Sequence, residues 1–95
     1  MIPKHRTPTP PGEILVEEFL RPLGLTQTAF ARHLRVPVRR INEIVRGRRA
    51  VSPETAQLFA AALGTSPEFW MNAQSSYDLA THRIKVEVEP LVEVG

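Results

Sequence analysis

Proline and glycine cut this chain into helix-sized pieces, and that punctuation limits the fold more than any other feature. Ser52-Pro53-Glu54 and Ser66-Pro67-Glu68 are two identical helix starts. Each joins an N-cap serine to a first-turn proline and a first-turn acid. Gly64 closes the segment between them, and Gly47 and the pair Pro22 and Gly24 close two earlier ones. Between the breaks, apolar residues recur at helical spacing. Leu15, Phe19, Leu20 and Leu23 mark a first helix from about Gly12 to Arg21. Thr26 caps a second, to about Leu34, with Phe30, Ala31 and Leu34 inward. Arg35-Val36-Pro37 breaks the chain before a third, from about Val38 to Val45, with Ile41, Ile44 and Val45 inward. The fourth faces inward with Ala56, Phe59, Ala60 and Leu63, and the fifth with Phe69, Trp70, Ala73 and Tyr77. The expected class is all-α, five helices in residues 12–80.

The ends differ. Pro3, Pro8, Pro10 and Pro11 predict a flexible N-terminal arm over residues 1–11. After Ala80 the period changes to two. Ile84, Val86 and Val88 alternate with charges up to Pro90, so residues 81–95 form a C-terminal strand or tail. A lone strand has no ladder to join. It is either a frayed end or a strand that pairs with a second copy or with another protein's sheet edge.

Charge is unevenly placed. From Arg32 to Arg49 there are seven arginines against Glu43, a local +6, while residues 1–31 are neutral and residues 50–95 carry −4. Every cation of the block is arginine, whose planar fork suits phosphates and guanine edges. Two short helices joined by a tight turn are a helix-turn-helix arrangement. At about 100° per residue, Ile41, Ile44 and Val45 fall on one side of the third helix. Arg39, Glu43 and Arg46 fall opposite, flanked by Arg40 and Asn42. An α-helix fits the major groove of B-DNA and reads base edges with its N-terminal half. Val38 sits there to meet a thymine methyl, and Arg39 to fork onto guanine. Glu43 has two roles open to it, accepting from cytosine N4 or pairing with an arginine and orienting it. Asn42 either reads adenine or packs locally. Gln27, in the first turn of the second helix, suits a phosphate, as do Arg46, Arg48 and Arg49.

Other chemistry has little support. The chain has no cysteine, which excludes disulfides and thiolate metal sites. His5, His33 and His82 are far apart, so no metal or other cofactor is expected. Neither Ser75 and Ser76 nor Glu17 and Glu18 form a catalytic constellation, and no enzyme is expected. No apolar run reaches the roughly 18 residues of a membrane span. The basic start, Met1 to Arg6, is followed by no apolar signal core, so a cytoplasmic protein is expected.

Leu25-Thr-Gln-Thr-Ala-Phe-Ala-Arg-His-Leu and Val38-Arg-Arg-Ile-Asn-Glu-Ile-Val-Arg-Gly-Arg-Arg resemble the phage-repressor-like (XRE) family. More narrowly, Pro11-Gly-Glu-Ile-Leu, Glu17-Glu-Phe-Leu, Gly47-Arg-Arg-Ala-Val-Ser-Pro-Glu-Thr-Ala and Leu63-Gly-Thr-Ser-Pro-Glu-Phe-Trp-Met-Asn resemble HigA-type antitoxins. The likeness covers Pro11 to Asp78. It implies a lambda-repressor-like domain and a homodimer that binds its own double-stranded operator DNA. It also implies a HigB-like, RNA-cleaving toxin as partner. The alternative is a stand-alone XRE-family transcriptional repressor with no toxin partner. Similar proteins often place glycine where Arg35 stands and a hydroxyl residue where Pro37 stands. The first departure implies left-handed strain at Arg35. The second removes a side-chain hydrogen bond to DNA and shifts the base reading towards Arg39.

Overall fold

A computed structural model describes residues 7–92. Within them the chain forms five helices and no strand. Helix α1 covers residues 11–23 in three continuous pieces: α-helical Pro11–Ile14, π-helical Leu15–Leu20 and α-helical Arg21–Leu23. Helices α2 (Gln27–Leu34), α3 (Val38–Val45), α4 (Pro53–Leu63) and α5 (Pro67–Thr81) follow.

Local chemistry accounts for most of these boundaries. The hydroxyls of Thr26, Ser52 and Ser66 accept from the amides of Ala29 (3.0 Å), Thr55 (3.3 Å) and Phe69 (3.1 Å). Each cap satisfies an amide that the first turn leaves without a helical partner. Gly24 and Gly64 end α1 and α4 in the left-handed conformation.

The π turn explains the one displaced apolar face. Leu15 and Leu20 are both fully buried, five residues apart, a spacing that i→i+5 hydrogen bonding brings onto one side. The Arg21 amide accordingly donates to the Val16 carbonyl. Counting by fours puts Leu23 on the same stripe; the wider turn rotates it out, and it is 59% exposed.

Leu15, Leu20, Phe30, Ala31, Ile41, Ile44, Val51, Ala56, Phe59 and Trp70 make one core. Trp70 is central, with ring centroids 5.0 Å from Phe59 and 5.5 Å from Phe19, and its indole N–H donates to the Thr65 hydroxyl at 2.7 Å. Phe30 stacks tilted on Phe59 at 5.5 Å, which fixes α2 to α4. The expected stripe of α5 is narrower than its pattern. Phe69, beside Trp70, lies edge-on to it at the exposed rim, and Ala73 and Tyr77 are half-buried.

One contact positions α3 more closely than side chains allow. Gly12 packs against the last turn of α3. A Cβ there would overlap the Ile44 carbonyl oxygen and come within 2.8 Å of Val45 Cα. Only glycine permits this approach.

Residues 82–92 leave α5 without regular structure, and all are exposed. Ile84, Val86 and Val88, expected to alternate in a strand, have no neighbouring strand among the described residues. Among the described residues, 82–92 form an exposed tail without a paired strand. Of the expected N-terminal arm, residues 1–6 lie outside the described residues, as do residues 93–95 of the tail. Residues 7–10 precede α1 without regular structure, and Pro11 already belongs to α1.

Candidate nucleic-acid interface

The α2–α3 pair is held from behind by Phe30, Ala31, Ile41 and Ile44, all buried. Its connection is a tight reversal at Arg35, which has φ 60° and ψ 41°. It is the non-glycine residue with positive φ among the described residues. The Arg35 amide donates to Arg32 and the Val36 amide to Ala31, both at 3.1 Å, which closes the end of α2. The left-handed strain expected at Arg35 is present. An L-residue pays about 1–2 kcal/mol there, part of which glycine loses again through unfolded-chain entropy. Arg35→Gly is therefore expected to stabilise the domain by about 0.5–1 kcal/mol. Thermal unfolding checks this, and an unchanged or lowered Tm would show that the turn is relaxed.

Pro37 precedes α3 with extended geometry, and no side chain caps the helix start. Its carbonyl accepts from the Arg40 amide at 3.0 Å. Val38 and Arg39 follow, both exposed, at the end of α3 that points away from the Gly12 contact. Arg46, Arg48 and Arg49 are exposed just beyond the other end. Gln27 is half-buried at the first position of α2, and Asn42 is half-buried on the flank of α3.

Four candidate residues, Arg39, Arg40, Glu43 and Arg49, are engaged within the protein. Arg40 Nη1 donates to Glu54 Oε1 at 3.2 Å and is only 28% exposed. It ties α3 to the first turn of α4, and an ion pair of this exposure is worth at most about 1 kcal/mol. Glu43 pairs with two arginines. Its Oε1 accepts from Arg49 Nε at 2.9 Å and Nη2 at 2.8 Å, and its Oε2 accepts from Arg39 Nε at 3.3 Å. The hydrogen bonds from Arg49, above all, hold its carboxyl below the usual carboxylate value of 4.5, against a smaller upward push from desolvation. A carboxyl with a lowered folded pKa stabilises fully above the unfolded value. That stabilisation is lost as pH falls through the folded pKa, so the cluster stays ionised at neutral pH.

Three supports of this face do not follow from the spacing of its own residues. Glu54, a first-turn acid of α4, also holds Arg40. Gln74 on α5 accepts from the Val51 amide at 2.8 Å and pins the segment that follows the arginines. Gly12 is the third. An isolated glycine in a helical pattern signals a packing constraint, and that was the available clue.

The described residues include no cluster of three or more His, Cys, Asp or Glu side chains that could hold a metal ion. No described helix is long and apolar enough to cross a membrane.

Two short helices in a tight turn, the second exposing an arginine-rich side, define a helix-turn-helix protein. The helix-turn-helix family HTH_3 matches residues 16–70. Antitoxin HigA-1 of Vibrio cholerae serotype O1 is 38% identical over 84 residues, covering 88% of this chain and 79% of that protein. Virulence-associated protein I of Dichelobacter nodosus is 46% identical over 69 residues, covering 73% of this chain but only 64% of that protein. Among solved structures, the Pseudomonas aeruginosa antitoxin HigA with the higBA promoter superposes with a TM-score of 0.81. It is 42% identical, over 90% of this chain and 99% of that one. The chain belongs to the helix-turn-helix family of XRE type and, within it, to the HigA-type antitoxins.

Proposed function

We propose that this chain is the antitoxin of a type II toxin–antitoxin pair, binding its own operator DNA and neutralising a HigB-like, RNA-cleaving toxin. It acts by binding, in the cytoplasm, and catalyses no reaction. The observation that carries the DNA reading is the geometry of α3. One side is locked into the core by Ile41 and Ile44, while Val38 and Arg39 are exposed at its N-terminal end. In the major groove that end faces base edges. Gln27, Arg46, Arg48 and Arg49 then meet phosphates, so affinity falls steeply with salt. Two copies on a palindromic operator would read half-sites about one helical turn apart. The kinship with HigA-type antitoxins supports the toxin partner. Co-expression with the product of an adjacent small basic reading frame tests it. Co-purification and relief of that product's toxicity are expected, and a stable uncomplexed toxin would reject the antitoxin reading.

The tail enters this proposal as an association element. Ile84, Val86 and Val88 are exposed on a segment that has no ladder among the described residues. Removing residues 83–95 is expected to weaken dimer or toxin association while the five helices melt as before, because the deletion starts beyond Thr81 and His82. Light scattering and toxin pull-down read the first effect, and circular dichroism the second. Unchanged association after deletion would reject this role.

A further inference from the structure

We propose that Glu43 sets DNA specificity without touching a base: braced by Arg49, it positions Arg39 on the reading side of α3 and lowers affinity for DNA that lacks the operator sequence. The inference rests on the DNA reading above and extends it to a residue that the sequence analysis placed among the base-contact candidates.

Three observations carry it. First, the carboxylate is already engaged by three charge-assisted hydrogen bonds, two from Arg49 and one from Arg39. A carboxylate offers about four acceptor sites, so little is left for cytosine N4. Second, the two arginines are held differently. Arg49 grips Oε1 through Nε and one terminal nitrogen, whereas Arg39 uses only Nε. Among the described residues the two terminal nitrogens of Arg39 have no partner, and its side chain is 85% exposed. Those nitrogens form the edge that forks onto guanine O6 and N7. Glu43, one turn along α3, fixes the other edge of the guanidinium. Third, Glu43 is the one anion between Arg32 and Arg49. On non-operator DNA the arginines gain only phosphate contacts, and a fixed negative charge among them opposes each one. On the operator, a base contact by Arg39 offsets that repulsion. The carboxylate therefore weakens indiscriminate binding more than specific binding.

Selection from a random duplex pool with the full-length protein supplies the site. Affinity is then measured for a duplex carrying it and for a shuffled duplex of the same composition, across a salt series. Glu43→Gln removes the charge at nearly constant shape. It is expected to tighten binding to the shuffled duplex about fivefold and steepen its salt slope by about one. Affinity for the selected duplex should not rise, so the ratio between the two falls. Glu43→Asp keeps the charge and should leave shuffled-duplex affinity within about twofold of wild type. Circular dichroism confirms folding of both variants. A Glu43→Gln protein whose ratio and salt slope match wild type would overturn the inference. So would relaxed preference at one cytosine alone, since that is the signature of a base contact. If wild-type protein selects no sequence, the DNA reading itself fails and takes this inference with it. If wild-type protein selects a site and only the variant results fail, the DNA reading stands.

Discussion

The Gly12→Ala variant is expected to melt roughly 15 °C below wild type, a loss of about 3 kcal/mol for a domain of this size. The reason is backbone against backbone. The added methyl would overlap the Ile44 carbonyl oxygen and crowd Val45 Cα at 2.8 Å. No side chain can rotate aside to relieve this, so α1 must lift from α3. Ordinary helix propensity predicts the opposite sign, since alanine outranks glycine by about 1 kcal/mol in a helix interior. Differential scanning calorimetry therefore separates the two accounts by direction as well as by size. DNA affinity should fall with stability, because Ile44 and Val45 form the end of α3 that anchors its exposed face. A Tm at or above wild type would show that the α1–α3 approach is looser than described.

Arg39→Ala should leave the fold intact and remove most of the discrimination for operator DNA. The side chain is exposed, and its one hydrogen-bond partner among the described residues is Glu43 at 3.3 Å, so truncation costs little stability. Losing one good base fork costs about 1–3 kcal/mol of discrimination, or roughly 5- to 150-fold in relative affinity. Toxin neutralisation should survive if the toxin docks elsewhere, as expected for a tail-mediated contact. Fluorescence anisotropy on matched and shuffled duplexes reads the first effect, and growth rescue the second. Equal loss of both would argue that one surface serves both partners.

What could be read from the sequence was governed by the range of the interactions involved. Helices α2 and α3 begin and end as expected because Thr26, the Arg35 turn and Gly47 act within a few residues of themselves. The opposite sides of α3 also followed from spacing alone, Ile41 and Ile44 inward against Arg39 outward. The π turn in α1 did not. Its register is settled by burying Leu15 and Leu20 together in the tertiary core, and no local residue announces that. Phe69 and Trp70, adjacent on a helix, point about 100° apart, so both cannot be central. The larger indole, with Thr65 to accept its N–H, takes the core.

The candidate site divides the same way. The Arg39–Glu43 pairing is an i,i+4 contact and was one of the two roles foreseen for Glu43. The stronger contact to Arg49 was not, because the chain turns back at Gly47 to make it. Nor was the Arg40–Glu54 pair, which joins the starts of two helices. The alternation in the tail was visible, but a strand needs a partner strand, and the described residues include none.

The central claim is that the N-terminal end of α3 reads bases in the major groove through Arg39. Replacing each guanine of the selected duplex in turn with 7-deazaguanine removes the N7 acceptor and little else. Wild-type protein is predicted to lose roughly 5-fold or more at one guanine per half-site, and Arg39→Ala to show no further loss there. Uniform tolerance of every substitution by the wild type, or an equal loss in the Arg39→Ala protein, would contradict it.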